Sequence, residues 1–251
     1  MSPGKVYLVG AGPGAPDLLT LRAARLLESA DVVLHDALVH RDTLALARKA
    51  RRVDVGKRCG KVSTEQRFIH RALVEAARSH RVVVRLKGGD PMLFGRAQEE
   101  IAALRAAGIE CEVVPGVTAA LAAAATLQAS LTRRAVSRNV AFLTPRAGKG
   151  EANADWLPTA LCADCVVMYM AAGASQTIAA ELIAAGKPAA TPIALVESAS
   201  LEERRIGGTL ADLARAPLAG FDGPVVLAIG TPFGEALVDG TLTPIYLSEA
   251  L

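Results

Sequence analysis

The chain has 251 residues, 51% of them hydrophobic, which is enough to build a core for one large or two modest domains, and its 4% aromatic content means that core is alanine and aliphatic. A net charge of +3 is too small to argue for a nucleic-acid partner, though it suits an acidic small molecule if the arginines converge. No stretch reaches the roughly 18 apolar residues of a membrane helix, since Val117 to Leu131 is interrupted by Thr118, Thr126, Gln128 and Ser130, and Met1 to Lys5 leads directly into a strand, so neither a membrane span nor a signal peptide is expected and a cytoplasmic setting is.

In chain order, Val6 to Val9 is a short apolar run that reads as a strand ending at Gly10, and Leu18 to Ala30 has helical spacing. Asp31 to Leu34 is a second strand, ending at His35-Asp36, and Arg52 to Val55 a third, ending at Gly56-Lys57. Thr64 to Ser79 reads as an amphipathic helix with Ser63 or Thr64 as its cap. Arg81 to Leu86 is a fourth strand, Arg96 to Ala107 a helix stopped by Gly108, Glu110 to Val114 a fifth strand, and Thr118 to Ala129 an alanine-rich helix. Strands alternating with helices imply parallel pairing, an α/β sandwich and right-handed crossovers, with ligands bound at the carboxyl ends of the strands.

The second half differs. Asn139 to Thr144 and Val166 to Met170 read as strands, and Ser175 to Ala185 as a helix ended by Gly186 and Pro188. Pro192 to Val196, Arg204 to Gly208 and Val225 to Ile229 are further strands, the middle one antiparallel in character, so a mixed sheet is expected. Pro145 to Asp155 reads as an exposed loop. The boundary is placed to give domains 1–116 and 117–251.

Four stretches at strand ends carry candidate chemistry. Gly10-Ala11-Gly12-Pro13-Gly14 lets backbone approach a ligand, but its spacing and its prolines fit a dinucleotide fingerprint poorly. Lys87-Gly88-Gly89-Asp90-Pro91 again exposes backbone after a buried strand; its Asp90 can accept hydrogen bonds, and Arg96 beyond it offers a planar fork for a carboxylate. Thr118 and Ala119 present main-chain groups at a helix start, and Met170 follows a strand where it packs either on an apolar ligand face or in the core. The Cys162/Cys165 CxxC has no second pair and no neighbouring histidine, so no metal is expected.

These pieces, in this order, resemble the tetrapyrrole methylase family. The resemblance rests on Val-Tyr-Leu-Val-Gly-Ala-Gly-Pro-Gly from Val6, Arg-Leu-Lys-Gly-Gly-Asp-Pro from Arg85 with Phe94-Gly95-Arg96, Val-Val-Pro-Gly-Val-Thr-Ala from Val113, and Tyr169-Met170. It covers residues 5 to about 230 and is nearest to the branch that acts on uroporphyrinogen III, through Val55-Gly56-Lys57-Arg58, Arg85 to Asp90 and Leu131-Thr132. It implies two α/β domains with the active site in the cleft between them, S-adenosylmethionine as methyl donor with S-adenosylhomocysteine as product, an anionic tetrapyrrole substrate methylated twice at carbon to precorrin-2 through precorrin-1, and a homodimer. The product would serve sirohaem, cobalamin or related porphyrin biosynthesis. It further implies donor contacts at Gly12, Pro13, Gly14, Gly88, Gly89, Asp90, Thr118, Ala119, Met170, Ala194 and Leu195. Asp36 takes the role of base, Lys57 and Arg96 act beside it, and Glu99, Arg134 and Met170 meet the substrate.

The sequence departs from the family where the substrate is expected. Ala15 stands in place of a usual aspartate, Arg133-Arg134-Ala135-Val136 in place of His-Arg-Asp-Tyr, Thr144-Pro145-Arg146 in place of Thr-Gly-His, and Ala171 in place of glycine. Two other readings therefore stay open: a sister methylase of a later precorrin intermediate, and a homologue that binds the donor without transferring the methyl.

Overall fold

The structure is a computed structural model and describes residues 3–56, 66–147, 155–215 and 220–245. The chain divides into two compact units, Met1–Ala119 and Ala120–Leu251.

The first unit runs β1 (Lys5–Gly10), α1 (Leu21–Ser29), β2 (Val32–His35), α2 (Arg41–Ala45), β3 (Arg51–Asp54), α3 (Gln66–Ser79), β4 (Val82–Lys87), α4 (Ala97–Ala106) and β5 (Cys111–Val114). Its five strands are all parallel, in the order β3-β2-β4-β1-β5. The chain steps one way across the sheet from β1 through β2 to β3, then back through β4 to β5. Right-handed crossovers put the helices of the outward leg on one face and those of the return leg on the other. The core divides the same way. Val9, Val33, Val84 and Leu86 pack with Ala23 and Leu27 of α1, whereas Val6, Leu8 and Val83 pack with Leu73 and Ala77 of α3 and Leu104 of α4.

That reversal creates a switch point between β1 and β4, where the connections leave toward opposite faces and a crevice opens beyond the carboxyl ends of the strands. Register aligns those ends. Gly10 pairs with Lys87, His35 with Leu86, and Val9 with Val114. The residues that follow each strand therefore emerge together along one edge.

The helix expected from Leu18 begins instead at Leu21, after a 3-10 turn at Pro16–Leu18. Thr20 accounts for the shift: its side-chain oxygen accepts a hydrogen bond from the Ala23 N–H at 3.1 Å and caps the helix. The Ser63/Thr64 cap expected for α3 lies outside the described residues.

Helix α5 (Ala119–Thr126) starts at the last residue of the first unit, and the second unit continues with β6 (Val140–Leu143), α6 (Leu157–Cys162), β7 (Cys165–Tyr169), α7 (Ser175–Ala184), β8 (Pro192–Glu197), β9 (Arg204–Thr209), α8 (Leu210–Arg215), β10 (Val225–Gly230), α9 (Gly234–Val238) and β11 (Thr243–Pro244). Its sheet is mixed, in the order β11-β9-β8-β10-β7-β6. β6 with β7 and β9 with β11 are parallel, while β7/β10, β10/β8 and β8/β9 are antiparallel. One face of this sheet is covered by α6, α7 and α8: Ala160, Ile178, Leu182, Leu210 and Leu213 pack on Met168, Leu195, Ile206 and Leu227. Helix α5 stops at Thr126, short of the expected Ala129, and Gln128 turns left-handed at φ 51°. Among the described residues, no helix is long and apolar enough to cross a membrane.

Candidate active site

The glycine-bearing strand ends meet at the switch point of the first unit. Gly12 and Gly89 exchange two main-chain hydrogen bonds, Gly12 N–H to the Gly89 carbonyl at 3.2 Å and Gly89 N–H to the Gly12 carbonyl at 2.7 Å. Both residues are left-handed, at φ 72° and 68°, and a Cβ on either would meet nothing closer than 3.5 Å. They are glycine for backbone conformation, not for lack of room. The opposite holds one step inward. A Cβ on Gly116 would lie 2.4 Å from the Gly89 carbonyl oxygen, and one on Gly10 would lie 2.6 Å from Gly116 Cα. The three chain segments touch backbone to backbone there.

Asp90 fastens this arrangement. Its two carboxylate oxygens accept the Met92 N–H at 2.7 Å and the Gly116 N–H at 2.9 Å, tying the loop after β4 to the loop after β5. Gly88 is held near Leu38, and the Thr118 backbone approaches Gly89. Gly12, Pro13, Gly14, Gly88, Gly89, Asp90 and Thr118 thus share one edge of one unit.

Asp36 follows β2 on that same edge. Its carboxylate accepts the Arg85 Nη2 hydrogen bond at 2.5 Å, and its side chain is partly exposed while that of Arg85 is buried. Behind it lies a chain of charge that the sequence reading did not single out. Arg85 Nε donates to Glu100 Oε1 at 3.3 Å, and Lys87 Nζ donates to the same oxygen at 3.0 Å. Gln66 adds a third donor at 3.3 Å. Glu100 has no exposed surface. Burial, followed by the like charge of Arg85, holds the Lys87 ammonium below its ordinary pKa. A signal for this cluster was present. Arg85 interrupts an otherwise apolar strand, and Glu100 shares the buried stripe of α4 with Ala97 and Leu104.

Arg96 caps α4 in a left-handed conformation, φ 55°, and its fork closes on Glu99 with bonds of 2.6 and 2.7 Å. Those bonds hold the Glu99 carboxyl below the usual carboxylate range. Both side chains are about half exposed. Phe94 beside them is also left-handed, at φ 52°. Strained non-glycine backbone of this kind gathers at ligand sites. Lys57 lies outside the described residues.

In the second unit, Met170 follows β7 with φ 56° and is 48% exposed, so it is not the core methionine of the alternative reading. The Tyr169 hydroxyl accepts the Ala120 N–H at 3.1 Å, tying the loop that carries Met170 to the first turn of α5, where Ala119 begins the helix. Arg134 sits at the exposed tip of a turn closed by two hydrogen bonds between Arg133 and Ser137, both 2.8 Å. Arg133 itself is bound to Glu235 at 2.6 Å. Ala194 and Leu195 lie mid-strand in β8 and are fully buried, with Leu195 in the core packed by the helices.

Cys162 ends α6 and Cys165 begins β7, both as free thiols. Among the described residues, no group of histidine, cysteine and acidic side chains is placed to hold a metal.

A uroporphyrinogen-III C-methyltransferase of Synechocystis sp. is 44% identical over 232 residues, covering 90% of this chain and 88% of that protein. A siroheme synthase of Pseudomonas putida is 47% identical over 212 residues; the match takes 84% of this chain but 46% of that protein, so the chain spans about half the length of such relatives. A Thermus thermophilus uroporphyrin-III C-methyl transferase, crystallised with S-adenyl homocysteine, superposes with a TM-score of 0.81 at 42% identity over 91% of this chain and 98% of its own. The profile of the Tetrapyrrole (Corrin/Porphyrin) Methylases matches residues 5–214, and the chain belongs to that family.

Proposed function

We infer that this chain transfers methyl groups from S-adenosylmethionine to two pyrrole carbons of uroporphyrinogen III, giving precorrin-2 through precorrin-1. The observation that carries the reading is the meeting of Gly12, Gly89 and Gly116 beside Asp36 on one sheet edge, in a chain 42% identical to a methyltransferase crystallised with S-adenyl homocysteine.

When bound, the donor supplies an electrophilic methyl on a sulfonium whose charge disappears on transfer. The loops at Gly12–Gly14 and Gly88–Asp90, with Thr118 and Ala119, hold it by main-chain groups, and Met170 packs against it. Ala194 and Leu195 remain part of the proposed donor set. Both are fully buried within β8.

Carbon–carbon bond formation leaves the positive charge on the macrocycle until a bridging carbon gives up its proton. In this reading Asp36, at the rim and hydrogen-bonded by Arg85, takes it. The substrate is rich in carboxylates. Arg96 already binds one carboxylate with its planar fork, so exchanging Glu99 for a substrate carboxylate needs no new geometry. Arg134 and Lys57 add cationic contacts in this reading, and Glu99 keeps Arg96 oriented until substrate arrives. A homodimer is part of the same proposal.

Asp36→Ala and Arg96→Ala are expected to lower single-turnover methyl transfer on the order of 100-fold or more, as loss of a base or of substrate alignment does. Donor affinity by calorimetry should stay within about twofold of the native chain, the scatter ordinary for a surface change. A large loss of donor affinity in both variants would overturn these roles.

A further inference from the structure

The hydrogen-bonded series Asp36–Arg85–Glu100–Lys87 runs from the rim of the first unit into its interior, and only its outer end is partly exposed. Two cations, Arg85 and Lys87, are buried within reach of one another, an arrangement that costs stability unless an anion lies between them. Glu100 is that anion, and one of its oxygens serves both.

The guanidinium of Arg85 is fixed on three sides. Nε is held by Glu100, Nη1 by the Leu86 carbonyl at 3.1 Å, and Nη2 is left pointing at Asp36. Among the described residues, Arg85 is the one side chain that bonds the Asp36 carboxylate. The plane of the fork, and hence the direction from which Asp36 is held, is set from inside the fold.

We propose that Glu100 is a positioning residue: through Arg85 it holds the Asp36 carboxylate in the orientation that proton removal requires. The proposal rests on the reading of Asp36 as the base. Glu100 itself touches neither donor nor substrate, so its removal changes the rate of the chemical step and not the binding of either reactant. Geometry at a proton-transfer site is demanding, and a displacement near 1 Å costs on the order of 100-fold.

The test compares three variants of the full chain. Glu100→Gln keeps the shape and removes the charge. The triple variant Arg85→Met, Lys87→Met, Glu100→Leu replaces the whole buried cluster by apolar side chains of similar volume, a change that generally preserves or raises stability. Asp36→Asn reports on the base itself. Each is measured for thermal midpoint, donor affinity by calorimetry, and kcat and KM with uroporphyrinogen III under anaerobic conditions.

The proposal predicts that Glu100→Gln and the folded triple variant bind donor normally, keep KM, and lose kcat by about 10- to 100-fold, with Asp36→Asn at least as slow. A folded triple variant with native kcat, alongside a slow Asp36→Asn, overturns the positioning role and leaves the base in place. Loss of donor affinity and thermal midpoint in step with kcat, in both Glu100 variants, overturns it in favour of a purely structural role. An Asp36→Asn variant with native kcat removes the base reading and the proposal with it.

Discussion

The glycines at the switch point separate two demands that the sequence alone shows as one. Gly12 and Gly89 need their left-handed backbone, while Gly10 and Gly116 need the absence of a side chain. Gly116→Ala is therefore expected to destabilise the chain by about 1–3 kcal/mol, the usual cost of overpacking, because its Cβ would press on the Gly89 carbonyl oxygen, which is rigid backbone. Gly173 provides the contrast. It lies in the short turn before α7, and nothing stands within 4 Å of its Cβ position. Gly173→Ala should be neutral or raise stability by up to about 1 kcal/mol by restricting the unfolded chain. Thermal unfolding of the two variants side by side checks both; equal midpoints would contradict the close-approach argument.

Individual elements tell how far the sequence could be read. The strands with uniform apolar runs were legible to within a residue or two, because β1, β4 and β10 are buried and need continuous aliphatic character. The short helices α2, α6, α8 and α9, of five or six residues each, were not. A segment of that length makes fewer than two turns, too few for an apolar stripe to repeat, and packing stabilises it rather than propensity. The parallel pair β9/β11 was missed for a similar reason, since β11 has only two residues. The candidate site divides along the same line. Gly12, Gly89 and Asp90 stood out as candidates because they follow strands in glycine-marked loops, whereas the role of Asp36 came from the family resemblance. Arg85 and Glu100 left only a faint mark, a charge within an apolar strand and an acid on a buried helix stripe, and chain folding alone brings the two together.

The junction of α6 and β7 carries a prediction at this scale. Cys162 is exposed at the end of the helix, whereas Cys165 is buried at the first strand position, where burial pushes its thiol up to about 11. Cys111 is raised to about 11 for the same reason. With maleimide at pH 8, Cys162 should be modified rapidly in the folded chain, Cys165 only on unfolding, and the half-buried Cys111 at a rate between the two. Mass spectrometry of the labelled peptides reads this directly. Fast modification of Cys165, or a disulfide joining it to Cys162, would contradict the placement of that junction.

At the scale of the molecule, one unit carries an all-parallel sheet with a switch point and the other a mixed sheet. The first carries the glycine edge, Asp36 and the buried charge series; in the second, Met170 lies on a left-handed turn whose neighbour Tyr169 is hydrogen-bonded to α5. The chain matches nearly the full length of a uroporphyrinogen-III C-methyltransferase but only about half of a siroheme synthase, so the account extends to methyl transfer and not to the other half of the longer protein. The departures at Ala15 and at Arg133 to Val136 fall where the family resemblance puts the substrate, while Gly12, Gly14, Gly88 and Gly89 are all present. The most direct measurement is anaerobic incubation of the full chain with S-adenosylmethionine and uroporphyrinogen III, followed by mass spectrometry of the tetrapyrrole and quantification of S-adenosylhomocysteine. The account predicts a product two methyl groups heavier and two equivalents of S-adenosylhomocysteine per tetrapyrrole, by the double methylation proposed above. Donor bound without any S-adenosylhomocysteine released, or a methyl group transferred only to a later precorrin, would contradict it.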